Sequence, residues 1–155
     1  MQKHMYTDEL MMFRDAVRKF FEVEIAPYHG QWEKDGVVPR ALWEKAGMNG
    51  FLCMDVPEEY GGGGVDDYRF NAILAEEGSR FLATGPGFAV HNELVAPYFM
   101  KYANEEQKQR WFPKMAAGER ITALGMTEPN TGSDVAAVQT TAVRASATAN
   151  GIRKG

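Results

Sequence analysis

Four stretches of the chain place large apolar residues three and four positions apart, the spacing of a helix with one buried side, and this limits the fold more than any other feature. The first runs through Leu10, Phe13, Val17, Phe20 and Phe21, with Thr7 placed to cap it. Pro27 has no N–H to give to the preceding turn, so this helix is expected to end or kink there. A short second piece then continues through Trp32 and stops near Gly36. Pro39 suits the first turn of a third helix, whose buried side is Leu42, Trp43 and Ala46 before Gly47. Phe70, Ile73, Leu74, Phe81 and Leu82 form the next stripe, with Asp66 or Asp67 as its cap. A further helix is expected from about Thr84 to Pro86 towards Tyr102, with Pro97 threatening its middle. Asn104 and Gln107 have the form of a capping box, opening a helix that turns Trp111, Phe112 and Met115 inward and ends at Gly118.

Two segments break this pattern. Phe51 to Pro57 is apolar but short, and it runs into Glu58, Glu59, Tyr60 and four glycines at Gly61 to Gly64, which together read as a turn-rich loop. At Ile121 the helical spacing stops. Ile121 to Met126 reads as a strand between turn signals, and Gln139 to Arg144, with Thr140, Thr141 and Val143, as a second. The expected fold class is therefore mainly α, a helical domain over 1–120 followed by the start of a β domain over 121–144. The segment 145–155 has only Ile152 as a large apolar residue and is expected to be a loose tail.

Composition excludes several classes of function. The 155 residues suit one domain, and 45% hydrophobic content with interspersed charge argues against wholesale disorder. No apolar run approaches the ~20 residues that cross a membrane, so a soluble chain without a membrane span is expected. A formal charge of −4 offers no general attraction to nucleic acid. Cys53 is the one cysteine, which leaves no internal disulfide or thiolate cluster. Met1 to Leu10 has no apolar core of signal-peptide length and already carries Asp8 and Glu9, so a cytoplasmic location is the expectation.

The segment richest in chemical capacity is Gly125 to Ala137, GMTEPNTGSDVAA. Gly132 permits a tight turn and close approach of a ligand, while neighbouring amides and the Ser133 hydroxyl can donate to an anion such as a phosphate. Asp134 would repel that phosphate unless its side chain caps the following turn. On the residues alone, an ordinary polar loop is the favoured reading, with the phosphate site second.

This segment resembles a diagnostic motif of the acyl-CoA dehydrogenase family. VPEEYGGGG, the helix around Leu74 to Gly78, HNELVAPYF and NEEQKQRWFPKMAAGE resemble the same family in the same order, over about the first 144 residues. The long-chain-type members look most similar, chiefly through HNELVAPYF. The resemblance implies an amino-terminal helical domain, a middle β domain and a carboxy-terminal helical domain, with FAD bound where they meet. It places Leu124 to Ser133 along the flavin, with Met126 and Thr127 at the ring system and Gly132 and Ser133 at the pyrophosphate. Ser133 would also lie near the acyl-CoA substrate. Thr131 departs from the family's usual glycine or alanine, and its branched Cβ stiffens the loop.

The resemblance assigns no catalytic residue to this chain. The family's proton-abstracting carboxylate belongs to the carboxy-terminal domain, and the Glu128 counterpart belongs to the flavin loop. After Arg144 the likeness fades, as in an interrupted or shifted reading frame. The complete enzyme would oxidise acyl-CoA to 2-enoyl-CoA as a homo-oligomer. The chain alone is expected to be inactive, to hold FAD weakly or not at all, and to self-associate through faces left uncovered. An acyl-CoA oxidase, a flavin monooxygenase of similar fold and a non-catalytic helical interaction module are the alternatives.

Other residues read as structural. Gly61 to Gly64 lack the helix-opening pattern of a dinucleotide site and read as architecture. His91 has neither His4 nor His29 at metal-ligand spacing and reads as a packed or solvated histidine. Glu76 and Glu77 are adjacent on a helix, so they are expected to point to different sides as solvated or capping charges. Trp32, Trp43 and Trp111 read as packing residues, and Cys53 as a small buried hydrophobe.

Overall fold

The computed structural model describes residues 6–143, which divide after Leu124 into a helical body and a short second unit. The body contains α1 (Asp8–Phe20), α2 (Ala26–Asp35), α3 (Arg40–Met48), α4 (Arg69–Arg80), α5 (Ala96–Tyr102) and α6 (Glu105–Ala116). The Thr7 hydroxyl oxygen accepts from Leu10 N, and Asn104 and Gln107 complete the capping box of α6, as the spacing predicts.

Pro27 and Pro97 do not break their helices. In each case one widened π turn precedes the proline, Phe21–Ile25 before α2 and Val90–Val95 before α5. A proline ring collides with the carbonyl four residues back; widening the turn moves that carbonyl away and lets the helix continue. The second helical run consequently starts near Phe88, later than Thr84 to Pro86, and passes unbroken through Pro97 to Tyr102.

The apolar stripes converge on two clusters. Leu10, Val17, Phe20, Phe21, Ile25, Leu42, Trp43, Phe51, Ile73 and Phe88 form the larger, stitched by edge-on rings such as Phe20 on Phe51 at 5.2 Å and Trp43 on Phe88 at 5.1 Å. Cys53, Val56, Tyr60, Ala96, Phe112 and Met115 form the smaller. Burying each such large side chain contributes about 1.5–3 kcal/mol, which is why the stripes decide the helix faces. Leu82 is an exception to its stripe: it is exposed at φ +52, because α4 has already ended at Arg80. Trp32 and Trp111 are partly buried against the two clusters and Trp43 is buried, in keeping with packing roles.

The four-glycine segment is architectural. Gly63 N and Gly64 N donate to Cys53 O and Val56 O, and a Cβ on Gly62 would lie 2.1 Å from Val56 O. Backbone lies directly on backbone there. Gly118 serves the same purpose beyond α6: it sits at φ +75, and a Cβ would lie 2.1 Å from Trp43 O.

Two further expectations fail for physical reasons. Glu77 is not solvated: it is 1% exposed, accepts from both Arg14 and Arg18, and pins α1 to α4. Glu76, although on a neighbouring helical position, reaches the second nitrogen of the same Arg14 fork, so the two carboxylates share a partner. The strands expected over 121–126 and from 139 are also absent among the described residues, where only the single bridge Glu128 to Thr131 pairs extended backbone. Strand geometry persists where a neighbouring strand takes up its N–H and C=O groups, and no described segment runs alongside either stretch. Arg144 and the tail 145–155 lie outside the described residues.

Candidate functional site

In the second unit, Thr-Glu-Pro-Asn-Thr folds into a closed turn. Glu128 N donates to Thr131 O at 3.0 Å and Thr131 N to Glu128 O at 3.1 Å, with Pro129 and Asn130 at the turn positions they favour. Two side chains then tie this turn to the following backbone. The Glu128 carboxylate accepts from Gln139 N at 2.9 Å and Thr140 N at 2.8 Å, while the Thr131 hydroxyl donates to Ala137 O at 3.2 Å. Hydrogen bonds from Thr140 and Gln139 hold the Glu128 carboxyl below the usual carboxylate range. Thr131, the position departing from the family pattern, is 5% exposed and thereby closes the loop.

The expected cofactor-contacting residues lie on the open side of this unit. Met126, Thr127, Gly132 and Ser133 are all exposed. Gly132 does not occupy the left-handed region, so the tight turn belongs to 128–131 and not to this glycine. Its contribution is space: a Cβ built there meets nothing within 4 Å. Asp134 does not turn its carboxylate onto the following turn Val135–Ala137; only its backbone carbonyl takes part, accepting from Ala137 N. Leu124, the fifth candidate, ends the helical body and is also exposed. Thr127, Gly132 and Ser133 are thus exposed beside an exposed Asp134, with the Glu128 charge committed to backbone amides.

Within the body, His91 is wholly buried. Its Nε2 lies 3.2 Å from Met115 O and 3.6 Å from Cys53 Sγ, and its Nδ1 lies 3.0 Å from Thr122 Oγ1 and 3.4 Å from Thr122 N. Burial lowers the His91 pKa, opposed by the bond to Met115 O. Burial pushes the Cys53 thiol up to about 12, which leaves it protonated and unreactive. The neighbouring Asn92 amide accepts from Cys53 N and donates to Phe51 O, pinning the turn-rich loop. His29 accepts from Gly85 N at 3.1 Å, and His4 lies outside the described residues. Among the described residues no group of three His, Cys, Asp or Glu side chains could hold a metal ion. No helix among them is long and apolar enough to cross a membrane.

The sequence missed the parts played by Glu128, Thr131 and Glu77. For the first two the signal was present, since hydrogen-bonding side chains flank the Pro-Asn turn. For Glu77 it lay in Arg14 and Arg18, four apart on α1 and so on one face.

Comparison with known proteins gives one answer. The model of the family "Acyl-CoA dehydrogenase, N-terminal domain" matches residues 7–119. The mitochondrial long-chain specific acyl-CoA dehydrogenase of Sus scrofa is 46% identical over 140 residues, covering 90% of this chain and 32% of its own length. The crystal structure of acyl-CoA dehydrogenase from Geobacillus kaustophilus superposes with a TM-score of 0.84 at 46% identity, over 92% of this chain and 37% of that one. The acyl-CoA dehydrogenase complexed with FAD from Bacillus anthracis is 30% identical with a TM-score of 0.75, over 87% of this chain and 24% of that one. The chain thus spans about a third of the length of the curated relatives it matches. With most of its length matched by the family model and its helices superposing on those of solved members, the chain belongs to the acyl-CoA dehydrogenase family, as its N-terminal domain.

Proposed function

We propose that this chain supplies the amino-terminal helical part and one wall of the flavin site of an FAD-dependent acyl-CoA dehydrogenase, which in complete form oxidises acyl-CoA to 2-enoyl-CoA. The observation carrying this reading is the closed turn 128–131, which commits the Glu128 carboxylate to backbone amides and leaves Thr127, Gly132 and Ser133 exposed. Met126 and Thr127 would meet the flavin ring, Gly132 and Ser133 the pyrophosphate, and Ser133 also the acyl-CoA. Bound FAD supplies the acceptor for the hydride leaving the acyl chain.

Glu128 does not serve as the base: two amides hold its carboxylate as the anion and occupy its oxygens. On the family resemblance, the proton-abstracting carboxylate would belong to the carboxy-terminal domain of the complete enzyme. In the helical body, a cavity of about 270 Å³ is lined mainly by apolar residues such as Phe21, Leu74, Ala83 and Phe88, with Glu93 also in its lining, and suits a hydrocarbon tail. Asp134 remains exposed beside the proposed pyrophosphate wall and opposes an anion, in keeping with weak FAD binding by the chain alone.

Val90, Leu94, Tyr98 and Tyr102 recur every four residues along the helical run through Pro97, and all four are exposed. This favours burial against further chain or a second copy, and self-association of the isolated chain is part of the proposal.

Titration of the purified chain with FAD is expected to give no tight, stoichiometric complex, and an electron-acceptor assay with acyl-CoAs no turnover. In a protein extended to the full length of the relatives, FAD should bind, and Thr127→Ala with Ser133→Ala should weaken it. Unchanged FAD affinity in that double variant would overturn the assignment of the loop.

A further inference from the structure

We propose that His91 is a positioning residue, fixed in one tautomer, that fastens the segment 121–124 to the helical body and so sets where Leu124 stands. Met115 O is a carbonyl and can only accept, so Nε2, 3.2 Å away, carries the proton. Thr122 N is an amide and can only donate, so Nδ1, 3.4 Å away, is bare. The Thr122 hydroxyl, 3.0 Å from the same nitrogen, then donates to it as well. One neutral tautomer satisfies every partner. The opposite tautomer would set a proton on Nδ1 against the Thr122 amide and leave Met115 O facing a lone pair.

The ring is held to this arrangement from several sides. Trp43 packs on it with ring centroids 5.3 Å apart, and the protonated Cys53 thiol lies against Nε2. His91, Cys53 and Met115 are each buried, so little water competes on the Nε2 side of the ring, while the bonds to Thr122 are part-buried.

The segment they hold packs through Ile121 but has no other polar anchor among the described residues. Among the described residues, 121–124 makes hydrogen bonds only through Thr122, and both of these go to His91 Nδ1. Ile121 and Leu124 are exposed, and no strand runs beside this stretch. A single buried ring therefore takes the place that a neighbouring strand would fill. Its value for the cofactor rests on the proposed role of Leu124 at the flavin; the latch itself does not.

Two substitutions separate the two ends of the ring. His91→Asn keeps an acceptor near the position of Nδ1 but loses the reach to Met115 O, whereas His91→Gln keeps a donor near the position of Nε2 but loses the acceptor for Thr122. Amide hydrogen exchange of the whole chain should show Thr122 exchanging up to about tenfold faster in His91→Gln, the worth of one hydrogen bond. In His91→Asn the Thr122 amide should stay closer to its original rate. Amides in α6 serve as the check that both variants fold. Nitrogen NMR of the imidazole in the unaltered chain should show a protonated Nε2 and a bare Nδ1. Equal Thr122 exchange in the two folded variants, or a protonated Nδ1, would overturn the proposal. Exchange is read without FAD, so a failure of the flavin assignment leaves this result standing, and a failed latch leaves the flavin titration standing.

Discussion

The helical body and the unit from Gly125 onward hold their shapes by different means. In the body, rings and aliphatic side chains from distant parts of the sequence share two buried clusters; of the polar groups trapped among them, Glu77, His91 and Asn92 are satisfied, while Asn71 Oδ1 is buried without a partner. In the second unit nearly every described residue is exposed, and shape comes from side chains bonded to backbone no more than 12 residues away. The body is stabilised by removal of apolar surface, which is cooperative; the loop relies on hydrogen bonds that compete with water, each worth about 0.5–1.5 kcal/mol net.

The largest expected effect tests the cooperativity of the body. Phe112 is 0% exposed in the smaller cluster, and Phe112→Ala should destabilise the body by about 3–5 kcal/mol, read as a fall in the urea midpoint. A loss below about 1 kcal/mol would mean that the smaller cluster does not belong to the cooperative core.

Next in size is the carboxylate joining α1 to α4. Glu77→Gln removes a charge held by Arg14 and Arg18, and because Arg18 is one-third exposed the cost should fall below the ~3–5 kcal/mol of a wholly buried pair, at about 2 kcal/mol. Arg18 first, then Arg14, hold the Glu77 carboxyl below its ordinary 4.5 against the effect of burial. A depressed folded pKa means that this contribution is present above pH 4.5 and is lost as pH falls through the folded value. Urea midpoints measured downward from pH 6 should therefore fall more steeply in the parent than in Glu77→Gln, and parallel curves would remove Glu77 from the account.

A chemical probe sharpens the same contrast. Cys53 is fully buried with its thiol pushed up to about 12, so a thiol reagent at neutral pH should label it only as fast as the body opens. Labelling should accelerate in Phe112→Ala. Rapid labelling of the unaltered chain would show that the Cys53 loop opens by itself.

The smallest effect belongs to the loop. Thr131→Val removes the bond to Ala137 O and should cost about 1 kcal/mol locally, seen as faster exchange of the amides of the 128–131 turn. The urea midpoint of the body should not move, and a shift there would contradict the division into two units.

Much of the helical body was legible in the sequence because a helix face is set by spacing. Leu10, Val17 and Phe20, or Phe112 and Met115, fall on one side whatever packs against them, and Thr7 and Asn104 mark helix starts by bonds made within four residues. The prolines were harder. Pro27 and Pro97 announce a conflict with the preceding turn, but whether the chain breaks or widens depends on whether Ile25 and Val95 gain burial by continuing, and both do. Leu82 shows the converse, since a residue in register with its stripe is left outside once the helix stops. At the candidate site, the motif singled out Met126, Thr127, Gly132 and Ser133, and the structure leaves all four exposed. The use of Glu128 was not, because its partners, the amides of residues 139 and 140, become partners only when the turn returns the chain.

What the sequence determined by itself was the family, the helices and their buried faces, since each rests on residue order and near-neighbour spacing. Tertiary structure decided the rest. It made Glu77 an ion-pair centre by bringing α1 beside α4, across some 60 residues of chain. It gave His91 a single tautomer by setting Met115 and Thr122 at opposite sides of its ring. It also left 121–126 and 139–143 without the ladders their composition suits. The physical reason is common to all three. A polar or extended group takes its role from the partner that reaches it, and these partners are far away in sequence or not among the described residues, whereas an apolar side chain needs only to leave water.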